Sequence, residues 1–68
     1  MTRCTYRLRA WPILPPGVRT APVLRVLSRM TLESVAHDWF LDQTRLRPAQ
    51  AEELLANLVA LGYVERCP

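Results

Sequence analysis

The sequence contains no lysine. All nine of its basic residues are arginine, against six acidic residues, and the formal net charge is +3. Guanidinium groups suit planar, two-pronged contacts to phosphate or carboxylate better than an ammonium group does. A coding preference can also replace lysine by arginine, so the composition permits nucleic-acid binding without requiring it.

Glycine and cysteine are also scarce. The two glycines, Gly17 and Gly62, are too few for a glycine-rich phosphate loop. Cys4 and Cys67 stand at opposite ends of the chain, and no CxxC or Cys/His spacing indicates a zinc site. The strand pattern described below points Cys4 inward and Cys67 outward, which argues against a disulfide between them.

Long apolar runs are absent as well. No segment approaches the roughly 18 apolar residues of a membrane-spanning helix. Residues 1–20 carry arginines throughout, unlike a secretory leader, so the sequence predicts a cytoplasmic protein with reduced thiols. The 68 residues suffice for one domain, 1–68, and their 50% hydrophobic share leaves self-association open.

The clearest helical pattern lies in residues 48–61. Pro48 suits the first position of a helix, and Gly62 suits the left-handed residue that ends one. The β-prone residues Tyr63 and Val64 follow, so we expect a helix of about 14 residues that leads directly into a strand over 63–66. Apolar residues recur at the spacing of one buried helical stripe, at Ala51, Leu54, Leu55, Leu58 and Leu61.

The N-terminal part predicts a strand and two further helices. Residues 4–10 alternate between apolar and polar side chains, which indicates a half-buried strand that pairs with 63–66. After a proline-rich connection, Thr20 is expected to cap the first helix, with Pro22 in its first turn. Thr31 is expected to cap the second, whose inner face would include Leu32, Val35, Ala36, Trp39 and Phe40. The predicted fold class is α+β, with three helices and a small two-stranded antiparallel sheet.

The segment from Leu58 to Arg66, Leu-x-x-Leu-Gly-Tyr-Val-Glu-Arg, resembles the end of the third helix and the first wing strand of winged helix-turn-helix domains. The resemblance covers about residues 22–66 and implies a winged-helix-like domain. The chain departs from that pattern in having no second wing strand or wing loop after residue 66. The stretch 36–46 also holds more residues than a turn of three or four would need.

In that family the third helix enters the major groove of DNA, and its first turns contact base edges. The resemblance places Arg47 and Gln50 at such contact positions, where a guanidinium can address guanine or phosphate and a carboxamide can address adenine. It thus implies a small DNA-binding, transcription-related regulator. Residues in the turn and the N-terminal strand could contact phosphates. The predicted DNA-binding residues are Arg45, Arg47, Gln50, Arg7 and Arg9.

A second function stays open, because the outward face of the third helix has no cation. That face consists of Ala49, Glu53, Ala56, Asn57 and Ala60, with Glu52 on a flank, and the candidate interface residues on it are Ala49, Glu53, Ala56 and Ala60. Glu53 stands where family members commonly place a basic residue, and a carboxylate near a polyanion is more often repulsive. Small alanine side chains let another helix approach closely. The alternative is therefore a non-catalytic protein-protein interaction module that uses this face, with another protein or with a second copy as a homodimer.

The sequence does not predict catalysis. Ser28, Ser34, His37, Asp38 and Asp42 include the residue types of a nucleophile–base system, but no Gly-x-Ser-x-Gly turn is present. A chain this short also has little material for a pocket that excludes water. We therefore expect no catalytic residues, no cofactor, no metal site and no small-molecule substrate.

Overall fold

Residues 4–67 are described by a computed structural model, in which they form an α+β fold of three α-helices and a three-stranded antiparallel sheet. The predicted fold class is therefore confirmed, although the sheet has one strand more than expected. In chain order the elements are β1 (Thr5–Leu8), a 3₁₀ helix (Pro16–Val18), α1 (Ala21–Leu32), β2 (Val35–Ala36), α2 (His37–Gln43), α3 (Pro48–Ala60) and β3 (Val64–Cys67).

The N-terminal strand β1 lies at the centre of the sheet, in the order β2-β1-β3. Its predicted antiparallel pairing with the C-terminal strand is confirmed, since Leu8 lies opposite Val64 and Thr5 lies opposite Cys67. The expectation of two strands was wrong because β2 pairs with the other edge of β1. Cys4 precedes the first residue of β1 and is exposed, so its expected inward position was also wrong; both cysteines are free.

The predicted start of the second helix at Thr31 was wrong. Helix α1 continues through Thr31, whose hydroxyl donates to the Ser28 carbonyl inside the helix at 2.6 Å. Leu32, expected on an inner face, is 76% exposed, and the backbone of Glu33 is extended and ends α1. Val35 is buried as expected, but it enters the core from the sheet rather than from a helix.

Helix α2 begins at His37, so only residues 44–47 separate it from α3. The expectation of a connection too long for a tight turn was therefore wrong. Thr44 fixes this turn: it is 1% exposed, its amide donates to the Phe40 carbonyl, and its hydroxyl donates to the Leu41 carbonyl at 3.4 Å. Arg45 then reverses the chain with a φ of 57°.

Helix α3 agrees with the sequence at both ends. Pro48 is its first residue, and Gly62 has a φ of 84°. The amide of Gly62 donates to the Val59 carbonyl at 3.1 Å, and the amide of Tyr63 donates to the Leu58 carbonyl at 3.0 Å. These two bonds form a Schellman motif, which satisfies terminal carbonyls and turns the chain into β3.

One hydrophobic core lies between the helices and the inner face of the sheet. Phe40 is fully buried at its centre, and truncating such a side chain typically costs about 3–5 kcal/mol. Trp39, expected on the inner face of the second helix, does pack against this core but is only partly buried. The buried apolar residues are Tyr6, Leu8, Val23, Val26, Leu27, Met30, Val35, Phe40, Ala51, Leu54, Leu55, Leu58 and Val64.

Candidate nucleic-acid interface

The turn between α2 and α3 brings together three of the predicted DNA-binding residues. Arg45 and Arg47 belong to the turn, and Gln50 lies in the first turn of α3. All three side chains are exposed. Arg47 occupies the N-cap position with an extended backbone, and its carbonyl accepts a hydrogen bond from the Ala51 amide at 2.8 Å. Two guanidinium groups and a carboxamide therefore lie at the N-terminal end of α3.

Arg45 has the left-handed backbone conformation that glycine adopts most easily. Its φ of 57° brings its Cβ close to its own carbonyl, a cost of roughly 1–2 kcal/mol for a residue other than glycine. Such strained residues occur more often at binding sites than elsewhere. An arginine at this position is therefore unfavourable for the backbone, where glycine would be free of the strain.

Arg45 also lines a surface cavity between α1 and α2 with a volume of about 220 Å³. Arg25 and Arg29, one turn apart on α1, line the same cavity, together with Trp39 and Gln43 of α2. Sequence reasoning did not place Arg25 and Arg29 beside the same cavity as Arg45. The i, i+4 spacing was the available signal, but only the packing of α1 on α2 brings Arg45 to them.

The other predicted cations, Arg7 and Arg9, do not join this group. The amide of Arg9 donates to the Tyr63 carbonyl at 2.8 Å, and Tyr63 directly follows the C-terminal end of α3. With 13 residues, α3 is about 20 Å long, so Arg9 lies far from Arg47 at the other end. Arg7 lies opposite Glu65 in β3, and both side chains are exposed.

The outward face of α3 is open to solvent as expected, with Ala49, Glu53, Ala56 and Ala60 all exposed. Glu53 also borders a cavity that is lined by Pro15 and Val18 of the proline-rich connection. That connection therefore flanks one side of α3, which sequence reasoning did not reveal. The sequence contained no signal for this placement beyond the prolines themselves.

The neighbouring carboxylate, Glu52, lies on the opposite flank of α3. Its Oε1 is 3.4 Å from Nε2 of His37, the first residue of α2. This contact joins α2 to α3, so His37 has a structural partner and no chemical role is needed to explain its presence. Among residues 4–67, no group of three or more His, Cys, Asp or Glu side chains is arranged to hold a metal ion.

No helix within residues 4–67 combines the length and the apolar character that a membrane crossing requires. Comparisons of the chain with protein-family models, with curated proteins and with solved structures found no match.

Proposed function

We propose that the chain is a small DNA-binding, transcription-related regulator whose α2, turn and α3 act as a helix-turn-helix. The connection of residues 44–47 supports this, because helix-turn-helix motifs join their two helices by three or four residues. The pairing of β1 with β3 also supports a winged-helix-like domain, since it places the strand after α3 in a small antiparallel sheet. The two free thiols suit the reducing cytoplasm as its location.

The observation that carries the proposal is the strained Arg45 in the turn. Glycine would have no strain in this left-handed conformation, yet residue 45 is an arginine, whose guanidinium is the group best suited to a two-pronged phosphate contact. In this proposal Arg45 binds the DNA backbone and thereby positions α3. Arg47 and Gln50 then address base edges from the first turn of the helix.

Arg7 and Arg9 have a secondary role in this arrangement. Because Arg9 lies near the C-terminal end of α3, it contacts DNA only where the duplex extends along the whole helix. We expect substitutions of Arg7 and Arg9 to weaken binding less than substitutions of Arg45 or Arg47. Their contacts would be to phosphates, and their removal would affect all DNA sequences alike.

The proposal is tested by fluorescence titration of labelled duplex DNA with variants of α3. We expect Arg47→Ala to weaken binding by about 1–3 kcal/mol, as removal of a base or phosphate contact typically does. Glu53→Ala should leave binding equal or stronger, because it removes a negative charge. Arg66→Ala is the charge-matched control, since Arg66 lies in β3 near the Tyr6 ring, 5.8 Å from its centroid.

Three results would count against the proposal. Absence of binding to any duplex at low salt would remove it altogether. An equal loss of affinity in Arg47→Ala and Arg66→Ala would show that net charge, rather than a positioned contact, controls the affinity. A loss of binding in Glu53→Ala would show that Glu53 makes a contact of its own, which contradicts the arrangement proposed for α3.

A protein-protein interaction module is the second candidate, and the apolar surface around α3 favours it. Ala49, Ala56 and Ala60 are exposed on the outward face, and the adjoining Leu61 is 71% exposed. In this case the face that includes Glu53 would dock on a partner protein or on a second copy. Light scattering of the wild type and of Ala56→Arg tests the homodimer. If this face forms it, the wild type should have the mass of a dimer and Ala56→Arg the mass of a monomer. A monomeric wild type would exclude self-association through this face.

A further inference from the structure

We propose that the cavity between α1 and α2 is a binding site for the phosphate group of a nucleotide. Three arginines line it: Arg25 and Arg29 on α1 and Arg45 in the turn. Three arginines from two separate segments therefore border one concave surface, and guanidinium groups so placed can bind a doubly charged oxyanion. The site shares Arg45 with the turn that we propose contacts DNA. Arg25, Arg29 and Trp39 belong to the cavity alone, so binding of a phosphate there does not require that α3 bind DNA.

The size of the cavity suits a phosphate group. Its volume is about 220 Å³, and a water molecule takes about 30 Å³ in the liquid, so there is room for several waters or for one phosphate with part of its ester. The cavity is open on one side, because Arg25, Arg29 and Arg45 are all exposed. A ligand attached to the phosphate can therefore extend into solvent or along the protein surface.

The balance of charge around the cavity favours an anion. Among the described residues that line it, none has a carboxylate. Glu33 lies 3.8 Å from Arg29, but both side chains are more than half exposed, so this pair is weak and easily displaced. Asp42 borders Arg45 in a neighbouring cavity and hydrogen-bonds to Gln43 at 2.9 Å. The three arginines of the cavity and these two carboxylates at its rim therefore carry a net charge of +1.

The spacing of Arg25 and Arg29 points in the same direction. Like charges at i and i+4 on a helix repel each other and destabilise it slightly. A phosphate bound between them would replace this repulsion by two charge-assisted hydrogen bonds. Arg45 adds a third donor from a backbone that is itself strained.

Trp39 extends the recognition from phosphate to nucleotide. Trp39 is among the residues that line the cavity, together with the three arginines, and it is only partly buried. A base that stacks on an aromatic side chain typically contributes about 1–3 kcal/mol. The same chemistry occurs in a free mononucleotide and in a nucleotide of a nucleic-acid strand, and separate titrations with the two kinds of probe distinguish these sources.

The test monitors Trp39 fluorescence in a Trp11→Phe background, because Trp11 and Trp39 are the two tryptophans of the chain. The probes are adenosine monophosphate and a short DNA duplex, titrated separately. We expect saturable quenching by at least one probe, and a loss of affinity of about tenfold or more in the double variant Arg25→Gln, Arg29→Gln. Arg19→Gln is the control, because Arg19 is exposed and lies outside the cavity.

Each outcome decides between the alternatives. If the wild type binds the mononucleotide and the double variant does not, the ligand is a free nucleotide. This conclusion would hold even if the duplex did not bind. Response to the duplex alone, again abolished in the double variant, identifies a backbone phosphate. Lack of response to both probes, or binding that the double variant retains, would overturn the inference. Arg47→Ala separates the sites, since it should weaken duplex binding and leave mononucleotide binding unchanged.

Discussion

Two of the residues that the structure describes have the left-handed backbone conformation, and they differ in its energetic cost. Gly62 has a φ of 84° and ends α3 without strain, since it has no Cβ. Arg45 has a φ of 57°, a conformation that is strained for any residue with a Cβ. The first residue serves the fold, whereas the second is the residue that we propose binds the DNA backbone.

At Gly62 we expect Gly62→Ala to lower the free energy of unfolding by about 1–2 kcal/mol, because alanine is strained at this φ. Urea denaturation followed by circular dichroism measures the change. Gly17→Ala is the matched control: no atom lies within 4 Å of its added Cβ, and its φ is not positive. Equal stabilities for the two variants would show that the left-handed end of α3 is unimportant.

At Arg45 we expect the glycine and alanine variants to differ in stability but not in DNA affinity. Arg45→Gly should raise the free energy of unfolding by about 1 kcal/mol relative to Arg45→Ala, because only glycine relieves the strain. Both variants lack the guanidinium and should lose DNA affinity equally. A glycine variant no more stable than the alanine variant would contradict the strain, and unchanged affinity in both would exclude Arg45 from the interface.

At the scale of the element, the two threonines of α1 show how local chemistry and tertiary pairing compete. Thr20 caps the helix as predicted, and its Oγ1 accepts a hydrogen bond from the Val23 amide at 3.4 Å. Thr31 has the same capping chemistry but lies inside α1. It does not begin a second helix, because Val35 and Ala36 pair with β1 as a strand. A two-residue strand has no periodicity, so its pairing is invisible in the sequence.

We therefore expect Thr20→Ala to lower the free energy of unfolding by about 0.5–1 kcal/mol, at the lower end for an N-cap because the hydrogen bond is long. Thr31→Ala should be neutral or slightly stabilising, since alanine has the higher helix propensity and the hydrogen bond that it removes is exposed. Thermal denaturation of both variants measures this. A larger loss of stability in Thr31→Ala than in Thr20→Ala would indicate that Thr31 caps a separate helix, which would contradict the observed extent of α1.

Helix α3 and its neighbours mark the limit of sequence-based prediction. The bounds of α3 were predictable because Pro48, the apolar stripe and Gly62 act locally. For the same reason, Arg45, Arg47 and Gln50 were correctly expected at one end of the helix. The grouping of Arg25 and Arg29 with Arg45 depends on the packing of α1 against α2, and no local pattern encodes it.

At the scale of the whole molecule, the distribution of charge matters more than its sum. A net charge of +3 is modest, but arginines concentrate along α1 and the turn, whereas Glu52 and Glu53 lie on α3. A DNA duplex would therefore be held chiefly by phosphate contacts at the turn and its surroundings. Affinity of this kind depends strongly on salt, because each phosphate contact releases counterions.

The most direct test of DNA binding is the salt dependence of the affinity for duplex DNA in the wild type and in the double variant Arg45→Ala, Arg47→Ala. We expect measurable wild-type binding at about 50 mM salt and a linear fall of log affinity with log salt concentration. In the double variant the slope should decrease by about 1 for each phosphate that the protein no longer neutralises. Absence of wild-type binding at that salt concentration, or an unchanged slope in the double variant, would contradict the account.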